Sequence, residues 1–157
     1  MKEKVAHLVV RVPKAGKQLA AMIAQHEVIA TKHGFVWFGV QGQRMSPARV
    51  ALLIEQIKQD TPTYLYVVQR LGAGFAAFRA RIMKITETLP QPEWNSVPDY
   101  YEDAFVQRGA RGGWVCVEHF EEVEERVLDS ISIYVNEAPL VRVLKNGMSS
   151  VMLVTRV

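Results

Sequence analysis

The chain has 157 residues, 49% of them apolar, and a formal net charge of +3. That length and composition fit one domain with its own core, and no apolar run approaches the roughly 18 residues a membrane span needs. A single cysteine, Cys116, excludes an internal disulfide and points to a reducing, cytoplasmic setting.

The charge is unevenly laid out. Residues 1–89 carry 13 Lys/Arg against 5 Asp/Glu, whereas residues 90–157 carry 6 against 11. Such a split predicts a basic face suited to phosphates and an acidic face elsewhere, unless both are simply solvated or pair with each other in a dimer.

The opening run KVAHLVVRV reads as a strand. Its apolar part is short and β-branched, no small-residue cleavage site follows, and Pro13 closes it, so a first strand is expected rather than a signal peptide. Leu19, Met22, Ile23, His26, Ile29 and Ala30 then recur near helical spacing, with Lys32 and His33 in the last turn and Gly34 as the stop. FVWFGV predicts a second strand. A second helix is predicted over MSPARVALLIEQIKQD: Ser46 is a natural N-cap, Pro47 suits the first position, and Val50, Leu53, Ile54 and Ile57 form a stripe.

TYLYVVQRLGAGFAAFRARIMKIT predicts a hairpin turning at LGAG. Strand alternation puts Tyr64, Tyr66 and Val68 on one face. On the return run Phe75, Ala77, Arg79, Arg81 and Met83 share a face, with Phe78, Ala80 and Ile82 opposite, so two arginines form a short basic ladder. Residues 88–112, broken by prolines and glycines, read as a long irregular loop. Beyond it GWVCVEHFEEV and VLDSISIYV predict strands, APLVRVLKNG a short helix and SSVMLVTRV a final strand. The elements do not alternate as in a doubly wound sheet. They predict an α+β domain, a mixed and mostly antiparallel β-barrel of about six or seven strands flanked by helices.

No residue set recommends itself for catalysis, a metal or a cofactor. Cys116 and His119 would point to opposite faces of a strand, and the other histidines are scattered. Cys116 stands between Val115 and Val117, the setting of a small buried residue rather than a nucleophile. There is no G-x-S-x-G elbow, and RGARGG is neither a Walker loop nor a dinucleotide fingerprint, though its glycines with Arg108 and Arg111 could cradle a phosphate. The run Glu118, Glu121, Glu122, Glu124 and Glu125 reads as a solvated face before it reads as acid–base machinery.

The aromatics are more telling. Trp37, Phe38, Tyr64, Tyr66, Phe78, Trp94, Tyr100, Tyr101 and Trp114 fall on predicted strands or on the long loop. An aromatic ring stacks on a nucleobase for about 1–3 kcal/mol, and a pocket for one base needs two such walls plus polar groups at its edge. Backbone beside Gly39 can supply those polar groups.

In order along the chain, FVWFGVQG, PTYLYVV, VPDYYEDAF and GWVCVEHFEEV resemble the PUA-like superfamily of PUA, ASCH, EVE and YTH domains, and most closely EVE-type domains. The matching features are Trp37, Pro98 with Tyr100 and Tyr101, and Trp114. The resemblance runs over roughly residues 34–157 of a single domain and leaves 1–33 as an N-terminal strand–helix extension, either a cap or a dimer arm. Val115 follows Trp114 where the pattern expects a second aromatic. The resemblance implies a small mixed β-barrel that binds DNA or RNA and reads a base, modified or not, without catalysing a reaction. On this reading base contact is expected at Trp37, Phe38, Gly39, Tyr100, Tyr101 and Trp114, and the basic residues Arg70, Arg79, Arg81, Arg108 and Arg111 are expected at phosphates. No cofactor, metal or membrane is expected; nucleic acid is the expected partner, with a homo-dimer as a further expectation. Two alternatives stand beside this reading. One is an ASCH-like nuclease using the Glu118–Glu125 region or His119; the other is a non-catalytic interaction subunit docking through residues 1–33.

Overall fold

A computed structural model describes residues 4–12, 18–40, 45–89, 96–98, 113–146 and 151–156. Among these residues eight strands form one sheet: β1 (Ala6–Val12), β2 (Val36–Gly39), β3 (Tyr64–Leu71), β4 (Gly74–Thr86), β5 (Trp114–Val117), β6 (Glu121–Val123), β7 (Ile131–Ile133) and β8 (Val151–Arg156). Their order is β2-β5-β4-β3-β1-β8-β7, with β6 also paired to β4. Among the described residues only β1 and β3 run parallel; the other pairings are antiparallel. The helices are α1 (Leu19–His33), α2 (Pro47–Lys58) and α3 (Leu140–Asn146), with a 3-10 turn over Glu125–Ser130.

The mixed, mostly antiparallel character matches the sequence expectation, but the sheet does not close into a barrel. Closure needs the two end strands to pair. Here β2 and β7 stand at opposite ends of the order, and the free side of β2 gives its Trp37 N–H to the Ser96 carbonyl at 3.0 Å. The predicted hairpin is β3–β4, turning at Gly72 with φ 58. The predicted strand GWVCVEHFEEV is broken after Val117. Its two parts, β5 and β6, pair in turn with the second and first halves of β4. At the break Phe120 turns into the core against His26 and Phe38, and its N–H donates to Glu27 of α1 at 2.6 Å.

The main core lies between the sheet and helices α1 and α2, and includes Leu8, Ile23, Phe38, Leu53, Leu65, Val115 and Leu153. The buried positions of α1, namely Leu19, Ile23, His26 and Ala30, recur at helical spacing, and Gly34 ends the helix at φ 83 with its N–H on the Ala30 carbonyl. In α2, Ser46 caps Arg49 N–H and Pro47 opens the helix as expected. A second core lies on the opposite side of the sheet, under α3 and the 3-10 turn, and includes Val9, Tyr66, Leu128, Ile131, Leu140 and Met152.

Two buried glutamines fasten helices to the sheet. Gln56 of α2 accepts from Ala6 N–H at 2.7 Å, donates to the Ala6 carbonyl at 2.8 Å and donates to Thr63 Oγ1 at 3.1 Å. It thus completes the start of β1 as a neighbouring strand would. Gln69 of β3 accepts from Leu19 N–H at 2.9 Å, which satisfies an otherwise orphaned donor at the start of α1. The stretch read as an N-terminal extension supplies β1, which runs between β3 and β8 with both of its edges occupied.

His26 is fully buried, and its Nδ1–H donates to the Met22 carbonyl at 2.8 Å. Burial lowers its pKa to about 4, against the opposing pull of that carbonyl and of Glu27.

Replacing Gln56 by Leu strands both Ala6 backbone groups, and is expected to cost about 3 kcal/mol, read as a lower urea midpoint at unchanged slope. Acid titration of stability provides a second check. The pKa of His26 is about 4 folded against 6.5 unfolded, so the unfolded chain binds the extra proton between those values. Stability is therefore expected to be full above pH 6.5, to fall by up to ~3 kcal/mol as pH drops toward 4, and to lose nothing further from this group below that. His7, whose pKa is also lowered to about 4, adds a like slope over the same range, so His26→Gln should remove about half of the total; an unchanged slope would show that His26 is not a source.

Candidate nucleic-acid interface

Along β2 the side chains alternate. Val36 and Phe38 enter the helix-covered core, and Trp37 points the other way. Across the β2–β5 ladder Trp37 faces Cys116 and Gly39 faces Trp114, so both tryptophans lie on one side of the sheet. They form a third cluster with Leu89, Val97 and Cys116, and Phe35 packs at its margin. Trp114 is fully buried and Trp37 is 2% exposed. Phe38 does not share this face. Its ring lies 5.2 Å from that of His26 and 6.3 Å from that of Phe120, as part of the main core.

The register of β4 changes between Ile82 and Lys84: Ile82 pairs with Val117, and Lys84 with Cys116. Met83 is the extra residue of this bulge and is partly exposed. The sequence reading of β4 holds up to this point, with Ala80 and Ile82 in the main core and Arg79 and Arg81 across from Tyr66 and Tyr64. Past the bulge Lys84 stands beside Cys116, on the tryptophan side, and is exposed. Sequence analysis did not single out Lys84. The chain offers no signal for the bulge beyond a lysine that falls out of the apolar alternation.

The two arginines of the ladder are ion-paired. Arg79 bonds to Glu121 of β6 through Nε, and its guanidinium carbon lies 4.6 Å from the centre of the Tyr64 ring. Burial works against the Arg79 charge, but hydrogen bonds with Glu121 and Tyr66 outweigh it and raise the pKa above the usual guanidinium value. Arg81 reaches Asp60 at 3.3 Å in a pair whose carboxylate is almost wholly exposed. Arg70 is on the same face but pairs with Phe75 near the hairpin turn, four residues along β4 from Arg79, and its Nε donates to the Gly72 carbonyl at 3.4 Å. Tyr100, Tyr101, Arg108 and Arg111 lie outside the described residues.

The acidic run is also engaged. Glu121 holds Arg79, Glu124 pairs with Arg126 at 2.5 Å, and His119 meets Glu27 of α1 at 2.9 Å. Among the described residues no three His, Cys, Asp or Glu side chains are grouped to hold a metal ion, and no helix is long and apolar enough to cross a membrane. A hollow of about 260 Å³ opens beside the start of α2, lined by Leu8, Met45, Ser46, Arg49, Val151 and Leu153. It holds none of the residues expected to contact a base or a phosphate; Ser46, read from sequence as a helix cap, stands at its edge.

Against models of known families, residues 15–153 match the one described as Pua-like, a span that takes in α1 and the sheet from β2 into the first half of β8. Comparison with curated proteins and with solved structures gave no match. Since the family model covers nearly the whole chain, this protein belongs to the Pua-like family.

Proposed function

We propose that this domain binds single-stranded nucleic acid, with phosphates along Arg79, Arg81 and Lys84 and a base against Trp37. The observation that carries this reading is the β4 bulge, which brings Lys84 to the tryptophan side of a sheet whose same strand carries Arg79 and Arg81. Trp114 and the backbone at Gly39 complete the base site. Tyr100, Tyr101, Arg108 and Arg111 contribute from the segment that follows Pro98, with Arg70 as an outlying cation.

Magnitudes set the balance between these contacts. A base reaches Trp37 only in exchange for Leu89 and Val97, which cover the indole. Stacking contributes about 1–3 kcal/mol, and uncovering a Leu or Val side chain costs about as much. Stacking therefore selects but adds little net affinity. Phosphate contacts must drive binding. The exposed Arg81–Asp60 pair gives up at most ~1 kcal/mol when a phosphate replaces the carboxylate.

Binding to a fluorescent single-stranded oligonucleotide should weaken steeply with salt. Arg81→Gln and Lys84→Gln should each lower the log–log salt slope by about 0.7. Affinity that does not change with salt would rule out the phosphate surface. Trp37→Leu keeps an apolar side chain in the cluster. It should fold, keep the salt slope and most of the affinity, and lose the parent's preference among homopolymer oligonucleotides of different base. If a folded Trp37→Leu protein keeps the parent's base preference, Trp37 is only a core residue and the base site is wrong.

A further inference from the structure

A second group of polar side chains lies where the outer core gives way to solvent. It runs across four neighbouring strands: Arg79 on β4, Tyr64 and Tyr66 on β3, His7 on β1 and Arg156 on β8. The His7 ring is 5.7 Å from that of Tyr64 and 6.0 Å from that of Tyr66. The guanidinium of Arg79 lies over Tyr64, and Arg156 Nε is 3.3 Å from Ser130 Oγ, at the head of β7. His7 Nδ1 accepts from Tyr64 N–H at 3.1 Å, so the proton of the neutral ring sits on Nε2.

The balance of charge around this imidazole is one-sided. Arg79 and Arg156 both act on it, and among the described residues the carboxylate placed on this row is Glu121 of β6, which bonds to Arg79. Burial first, then Arg156 and Arg79, push the His7 pKa down to about 4. Two guanidinium groups and an imidazole thus share one face of four adjacent strands with a single described carboxylate among them, a cluster suited to an anion. A bound dianion offsets both cations and lets His7 take a proton. Three positive groups against one carboxylate then leave two charges to be met.

We propose that His7, Arg79 and Arg156, with the Tyr64 ring as a side wall, form a subsite for a doubly charged phosphate monoester, such as the terminal phosphate of a nucleic-acid strand. An internal phosphodiester carries one charge and leaves the row under-neutralised; a terminal phosphate matches it. The subsite stands on residues that the base and phosphate assignments above leave out, apart from Arg79. As the end-recognition site of a strand it rests on the nucleic-acid reading, but its anion chemistry does not.

The test has two arms. In the first, the His7 imidazole resonance is titrated between pH 4 and 8 with and without inorganic sulfate, a dianion throughout that range. Saturating sulfate should raise the apparent His7 pKa by at least one unit, a tenfold preference of the anion for the protonated ring. Arg156→Gln, a change at an exposed residue, should reduce that shift severalfold. A His7 pKa that sulfate does not move overturns the subsite, whatever the protein does with nucleic acid. In the second arm, 5′-phosphorylated, 3′-phosphorylated and unphosphorylated oligonucleotides of one sequence are compared. One phosphorylated end should bind at least fivefold tighter than the unphosphorylated strand. His7→Asn, which keeps an acceptor for Tyr64 N–H but removes the Nε2 donor, should abolish that preference while leaving unphosphorylated binding unchanged. Equal binding of all three strands, with the sulfate shift intact, overturns end recognition and leaves a free phosphate monoester as the ligand. No binding of any strand, with the shift intact, counts against the nucleic-acid reading and not against the anion site.

Discussion

The layout of the outer surface depends on how one strand, β4, is paired. It runs for 13 residues and serves as the common neighbour of β3, β5 and β6. Its first half carries the arginines and its second half backs the tryptophans, so the two kinds of group are placed relative to each other by a single stretch of backbone. The bulge at Met83 sets that relation. A one-residue insertion reverses which side every later residue of the strand presents. Without it Lys84 would not stand beside Cys116, and Ile85 would leave the main core against which it packs. Gly113 holds the far end in place. It takes φ +92, and a Cβ there would lie 2.9 Å from the Thr86 carbonyl at the end of β4.

Charge organises the molecule differently from what the halves of the chain suggest. The basic first half and the acidic second half do not form two independent faces. Arg79 meets Glu121, Lys4 meets Glu137 at 3.3 Å, and Glu27 of the first half takes His119 of the second. Part of the asymmetry is thus consumed inside the fold, where it ties β6 to β4 and α1 to the break between β5 and β6. What decides the usefulness of each arginine is the exposure of its partner. Asp60 leaves Arg81 nearly available to a competing anion, whereas Arg79 is held from two sides by Glu121 and Tyr66. Arg156 contacts a hydroxyl rather than a carboxylate, so its charge remains to act on its surroundings.

Much of this was legible in the chain. The caps at Ser46 and Gly34, the hairpin turn, the alternation of Tyr64, Tyr66, Arg79 and Arg81, and the burial of Cys116 all follow from local chemistry with short range in sequence. The strand prediction over GWVCVEHFEEV was right in extent and wrong in continuity. The break depends on Phe120 finding His26 and Phe38, residues more than eighty positions away. Alternation also separates Trp37 from Phe38, but treating the aromatics as one set hid that consequence. The roles of His7 and Gln56 had no local signal. An imidazole beside two arginines of other strands, and an amide that completes a strand fifty residues away, exist only once β1 is in place.

Sequence alone did not foresee the 3-10 turn that takes the first half of VLDSISIYV and leaves only Ile131–Ile133 as strand, but it determined most of the helices and strands, which side chains of each share a face, and that Trp37, Trp114, Arg79 and Arg81 lie on strands. These are consequences of backbone periodicity, turn chemistry and capping, which act within a few residues. Tertiary structure alone decided that the sheet stays open, that β1 runs between β3 and β8, that both tryptophans are covered, and which cations retain free charge. Those outcomes depend on register, on a bulge and on pairing between distant strands, where competing arrangements differ by a few hydrogen bonds and no local pattern of residues chooses among them.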